Sequence, residues 1–171
     1  MHELLKHLFI VLLPLIATST IHMVVVKFNG LEFLNKPLWN YGFGRNKTIR
    51  GLVIVPIINS CNVWLISRFI EIKFLSPWLL GYGIGLVYLL FELPNSFLKR
   101  RLGIDAGVSG TRYKYLFYIL DKTDSSLGVT SFYSLLVGLD FALGFRLFLA
   151  NSIMHTFVAF ILVLLKIKKG F

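Results

Sequence analysis

"LFIVLLPLIATSTIHMVVV", residues 8–26, runs for nineteen positions without an Asp, Glu, Lys or Arg. A helix that crosses a bilayer needs about 20 mainly apolar residues, because the lipid core holds no water to satisfy backbone groups. A secretory leader would share the opening, with Lys6 ahead of an apolar stretch and Ala17 as a small residue for cleavage. The apolar run continues beyond Ala17 through "IHMVVV", however, and is long enough to span. We therefore read residues 8–26 as a retained first span.

The rest of the chain supports a membrane reading. Of 171 residues, 56% are hydrophobic and 15% charged, with a mean hydropathy of +0.75. That is too apolar for a water-soluble domain of this size. The charge is one-sided: 18 Lys and Arg against 8 Asp and Glu, a formal +10. On a polar surface such an excess would suggest nucleic acid, but this chain has little polar surface. The positive-inside bias of membrane proteins accounts for the excess, and no nucleic-acid partner is expected. The single Cys61 excludes an intrachain disulfide. No repeat or linker divides the sequence, which reads as one domain over residues 1–171.

Hydropathy predicts an all-α integral membrane fold of about five spans: Leu8–Val26, Leu52–Ile70, Phe74–Leu93, Leu127–Phe145 and Phe148–Leu165. Asn59, Ser60 and Asn62 soften the second, and Asp140 and Arg146 interrupt the last two. Basic residues cluster in three segments. Residues 27–50 hold Lys27, Lys36, Arg45, Lys47 and Arg50. Residues 95–124 hold Lys99, Arg100, Arg101, Arg112, Lys114 and Lys122, and the tail holds Lys166, Lys168 and Lys169. Five spans with the N-terminus outside place all three segments in the cytoplasm, in a multi-pass protein of the plasma membrane.

Three polar islands lie on that face. In "GFGRNKTIRG", residues 42–51, glycines bracket cations just before the second span, an arrangement suited to phosphate at a helix N-terminus. It lacks the G-x-x-x-x-G-K-[ST] of a Walker loop, and a basic loop touching anionic lipid headgroups is the plainer reading. In "FELPNSFLKRRLGIDAG", residues 91–107, Glu92 stands at the end of the third span, where a carboxylate must be solvated, paired or metal-bound. Pro94 is expected to break or kink the helix there. In "YILDKTDSSLG", residues 118–128, Asp121 and Asp124 would share a helical face about 5–6 Å apart. A divalent cation would relieve their repulsion, and oxygen-only ligands near phosphate point to Mg²⁺. The plainer alternative makes both aspartates caps of the fourth span. The four histidines lack metal-ligand spacing.

In order and spacing the islands resemble the CDP-archaeol synthase family, integral-membrane CTP transferases similar to phosphatidate cytidylyltransferase. "GRNKTIRG" stands where that family carries G-D-G-K-T-W-R-G. "FELPNSFLKRRLG" stands at its G-D-L-x-x-S-F-x-K-R-R-x-G, matching from Leu93, and "DKTD" at its D-Q-x-D. "SIMHTFVAFILVLLK" resembles its last span, with His155 and Lys166 in place. The chain departs from the pattern at Phe91-Glu92 in place of Gly-Asp, at Ile49 in place of Trp, and at Ala159 in place of a polar residue.

The resemblance implies Mg²⁺-dependent transfer of a cytidylyl group from CTP to a lipid phosphate, giving a CDP-lipid and pyrophosphate. It assigns Asp121 and Asp124 to Mg²⁺, with Glu92 as a further ligand. It gives Lys47, Lys99, Arg50 and Arg100 to phosphates, and Thr48 and Ser96 to hydrogen bonds with phosphate or a metal shell. CTP, the lipid phosphate and surrounding lipids are the partners implied, and a homodimer is compatible with this reading. Two rivals remain. One is a catalytically degenerate protein of the same fold that binds lipid or nucleotide or acts structurally. The other is a CDP-alcohol phosphotransferase, which would need more spaced aspartates than one D-x-x-D.

Overall fold

The computed structural model describes residues 2–106 and 113–165. Arg112 and the basic tail Lys166, Lys168 and Lys169 lie outside them. Among the described residues there are five long helices: α1 (His2–Lys27), α3 (Ile49–Ile66), α4 (Pro77–Arg101), α5 (Lys114–Val137) and α6 (Phe141–Leu164). The α1–α3 connection carries a short 3₁₀ turn at Glu32–Leu34 and a single helical turn, α2 (Asn40–Phe43). No strand occurs among the described residues; Pro37 and Thr48 form one isolated antiparallel bridge. Four of these helices, α1, α3, α4 and α6, are long and apolar enough to cross a membrane. The architecture is that of a multi-pass helical membrane protein, close to the expected five spans.

Each long helix runs antiparallel to the next, and α1 also packs on α6, closing a ring. Small and polar residues make the closest contacts, as expected where lipid removes the hydrophobic drive for helix association. Gly81 and Gly85 lie one turn apart on α4. A Cβ on Gly81 would fall 2.6 Å from Ser60 Cα, and one on Gly85 would fall 2.8 Å from Pro56 Cα. The polar residues that soften the second span are all engaged between helices. Asn59 Nδ2 donates to Gly81 O at 2.8 Å, and Ser60 Oγ donates to Trp78 O at 2.9 Å. Thr18 Oγ1 donates to Asn59 Oδ1 at 3.1 Å and accepts from Asn62 Nδ2 at 2.9 Å. A second link joins His7 Nδ1 to the Tyr133 hydroxyl at 2.8 Å, inside a core of Ile10, Val11, Val63, Leu80, Ile84 and Leu147.

Two predicted boundaries are corrected. The predicted spans Leu127–Phe145 and Phe148–Leu165 placed Asp140 inside a helix. The chain instead turns there: Gly138 ends α5 in the left-handed region at φ 71°, and Asp140 caps α6 by accepting from Leu143 N at 2.8 Å. The polar residue that appeared to interrupt a span is a turn signal. Pro94 does not end α4, which continues seven residues beyond it to Arg101.

Candidate functional site

Continuation of α4 through Pro94 organises the site. Glu92, Asn95, Ser96 and Lys99 fall at i, i+3, i+4 and i+7, one stripe of a single helix. Facing them is α5, which begins at Lys114, so Asp121 and Asp124 lie about two and three turns inside it rather than at its start. They cap nothing, and the capping alternative is thereby corrected. Phe91 and Gly128 set the helix separation: a Cβ on Gly128 would occupy the Phe91 ring. The bulk gained where the resembled motif has Gly is accommodated on α5.

The α2–α3 loop closes the third side. Gly44, at φ 84°, lets the loop approach α4, where a Cβ would sit 3.2 Å from Arg100 Nε. Lys47, two positions before the α3 start and next to the α3 cap Thr48, forms an ion pair with Glu92. Lys99 Nζ lies 2.5 Å from both carboxylate oxygens of Asp121. Asn95 bridges the two aspartates, with Nδ2 donating to Asp121 Oδ1 at 2.7 Å and to Asp124 Oδ2 at 2.9 Å. Side chains of Lys47, Glu92 and Lys99 are only 16–23% exposed. At such burial a lysine or carboxylate without its partner is costly, so the pairs hold each other in place.

The structure thus brings Lys47, Glu92, Lys99, Asp121 and Asp124 to one end of the bundle. It does not gather Glu92 with the two aspartates as a third ligand. Glu92 faces Lys47, and among the described residues no three His, Cys, Asp or Glu side chains group around one point. The remaining four assigned residues make bonds within the fold. Thr48 caps α3 by accepting from Gly51 N at 3.4 Å. Buried Arg50 donates to Gly30 O at 3.1 Å, fastening the α1–α3 loop. Ser96 donates to Glu92 O at 2.9 Å within α4, and Arg100 donates to Ile104 O just after it.

Sequence reasoning missed several members. Tyr88, one turn before Glu92 on α4, places its hydroxyl 3.1 Å from His155 Nε2 on α6. A cavity of about 10 Å³ beside Tyr88, Ser126, Asn151 and His155 has room for about one water. His22 on α1 is close enough to Glu92, Arg50 and Lys47 to feel each charge. Tyr88 and Asn95 stand one turn either side of Glu92, a spacing legible once the helix is known to pass Pro94. Two buried oxygens, Asn95 Oδ1 and Ser125 Oγ, have no hydrogen-bond partner, and each such orphan costs about 1–3 kcal/mol unless something meets it.

Fold and site together define a polytopic helical membrane protein with a compact cluster of paired charges at one end of its bundle. No family model, curated protein or solved structure matches the chain.

Proposed function

We propose that the protein transfers a cytidylyl group from CTP to a lipid phosphate, with the charged cluster as its active site on the cytoplasmic face. The observation that carries this reading is the gathering of the Lys47–Glu92 and Lys99–Asp121 pairs, with Asp124 beside them, at one end of an apolar bundle. A site that joins a nucleotide triphosphate to a lipid headgroup needs cations for phosphate oxygens, carboxylates for a metal ion, and lipid within reach. The motif order shared with CDP-archaeol synthases adds the choice of nucleotide and reaction.

The donor set fits Mg²⁺. Asp121 and Asp124 offer hard carboxylate oxygens, with no thiolate and no imidazole between them, and Mg²⁺ commonly takes one or two carboxylates beside substrate phosphates. Bound there, the ion would neutralise charge on the phosphates. The chain's own residues do the remaining work by positioning and charge. Lys47 and Lys99 would exchange their carboxylate partners for phosphate oxygens, and Glu92 holds Lys47 in place until then. A lipid phosphate oxygen attacks the α-phosphorus, the bond from that phosphorus to the bridging oxygen breaks, and pyrophosphate leaves with the electron pair. Thr48 and Arg50 fix the start of α3 so that Lys47 sits over the site, while Ser96 and Arg100 brace the end of α4.

Two experiments test the reading. Purified protein given labelled CTP, Mg²⁺ and a panel of lipid phosphates should form a labelled CDP-lipid; no product with any of them overturns the enzyme reading in favour of a binding or structural role. Tags at the N-terminus and near Ile72 should be accessible from outside, and one near Ala106 only from the cytoplasm. The reverse pattern would put the cluster where CTP is absent.

A further inference from the structure

Asn95 is the least expected member of the site. Its amide lies between two carboxylates on adjacent turns of α5 and donates one hydrogen bond to each, at 2.7 and 2.9 Å. A single Nδ2 group thereby occupies the position where a positive charge would best relieve both aspartates. The residue is 91% buried, since only 9% of its surface is exposed, and its Oδ1 has no partner. A second observation points the same way from the opposite helix. Ser125 is 1% exposed, follows Asp124 directly and stands one turn from Asp121, and its Oγ is also without a partner. Two buried neutral oxygens without a hydrogen-bond partner thus belong to residues next to the two aspartates, one on each helix.

We propose that Asn95 is a direct ligand of the divalent cation, completing the site of Asp121 and Asp124 through Oδ1. This deepens the cytidylyl-transfer reading and rests on its metal assignment. Amide nitrogen and oxygen exchange places on a half-turn about χ2. With Nδ2 inward, the side chain holds the two carboxylates together. After the half-turn it presents an oxygen at nearly the same point, and an Asn carbonyl is an ordinary ligand for a hard cation. The same residue can thus steady the aspartates and then join them around the ion. Lys99, which also contacts Asp121, can swing away on its flexible stem, whereas burial keeps the Asn95 amide beside the carboxylates, where a half-turn about χ2 is the one change needed.

The test is direct cation binding by the full chain in detergent, followed through the Mn²⁺ spin-resonance signal without any nucleotide or lipid. Asn95→Leu should weaken Mn²⁺ by about tenfold or more, while Asn95→Asp, which keeps the size and adds charge, should tighten it by about tenfold. If Asn95→Leu fails to fold, the Asp variant alone decides. Wild-type affinity in either variant overturns the inference. When Asp121→Asn loses Mn²⁺ while both Asn95 variants bind as wild type, the metal assignment stands and only the role of Asn95 fails. Wild-type protein that binds no Mn²⁺, or an Asp121→Asn, Asp124→Asn double variant that binds it fully, overturns both.

Discussion

The two ends of the bundle treat charge in opposite ways. At the site end, Lys47–Glu92 and Lys99–Asp121 join residues 45 and 22 positions apart, across separate elements, with lysine side chains 23% and 16% exposed. At the far end, Lys73 pairs with Glu71 in one loop at 3.2 Å, and both side chains are more than 70% exposed. Water would solvate the second pair equally well if it were broken. The first two pairs can form only when α3, α4 and α5 have packed, and Lys47, Glu92 and Lys99 lose much of their hydration in doing so, while Asp121 stays 46% exposed. Paired charges at one end are therefore part of the tertiary fold, while those at the other end decorate it.

The largest expected effect falls on the aspartates. Asp121→Asn with Asp124→Asn should eliminate CDP-lipid formation while leaving the protein inserted, because Asn keeps the size and removes the anionic charge that Mg²⁺ requires. Full activity in the double variant would break the distinction between the two ends. Next in size is Lys99→Ala, which should cost about 2–5 kcal/mol in kcat/KM, the scale of a charged contact in a partly desolvated site. Lys73→Ala is its control, and equal losses in the two would mean that position in the bundle has no consequence.

Smaller effects should appear in thermal stability. A double-mutant cycle on Lys47→Met and Glu92→Gln should show a coupling of about 1 kcal/mol or more, since each single change strands a partly buried charge. The same cycle on Lys73 and Glu71 should give about 0–0.5 kcal/mol, as exposed pairs do. Matching values from the two cycles would show that partial burial does not strengthen the site pairs.

Much of this was legible in the chain itself. The apolar length of residues 8–26 predicted a first membrane helix, which the structure extends to His2–Lys27, and hydropathy located the next two spans, although α4 runs on to Arg101 past the predicted end at Leu93. The boundaries of the last two spans were not legible, because Asp140 lowers hydropathy equally whether it interrupts a helix or caps one. The structure separates these by the bond from Leu143 N and the left-handed Gly138. At the site, charged types and motif order singled out Lys47, Glu92, Lys99, Asp121 and Asp124. Asn95, Tyr88 and His22 passed unnoticed, since neutral polar side chains near a membrane helix carry no signal until their neighbours are known.

The sequence by itself determined a helical membrane protein with its polar chemistry gathered in three islands, because apolar length and charge asymmetry are properties of the linear chain. Only the tertiary structure decided which charges meet. Glu92 belongs to Lys47 rather than to the aspartates, and Asn95 lies between Asp121 and Asp124. Those partnerships depend on α4 running unbroken through Pro94 and on Gly128 yielding space to Phe91, which brings α5 close enough for side chains to bridge the gap. Hydrogen bonds and ion pairs act over about 3 Å, and no pattern along the chain fixes the distance between helices to that precision.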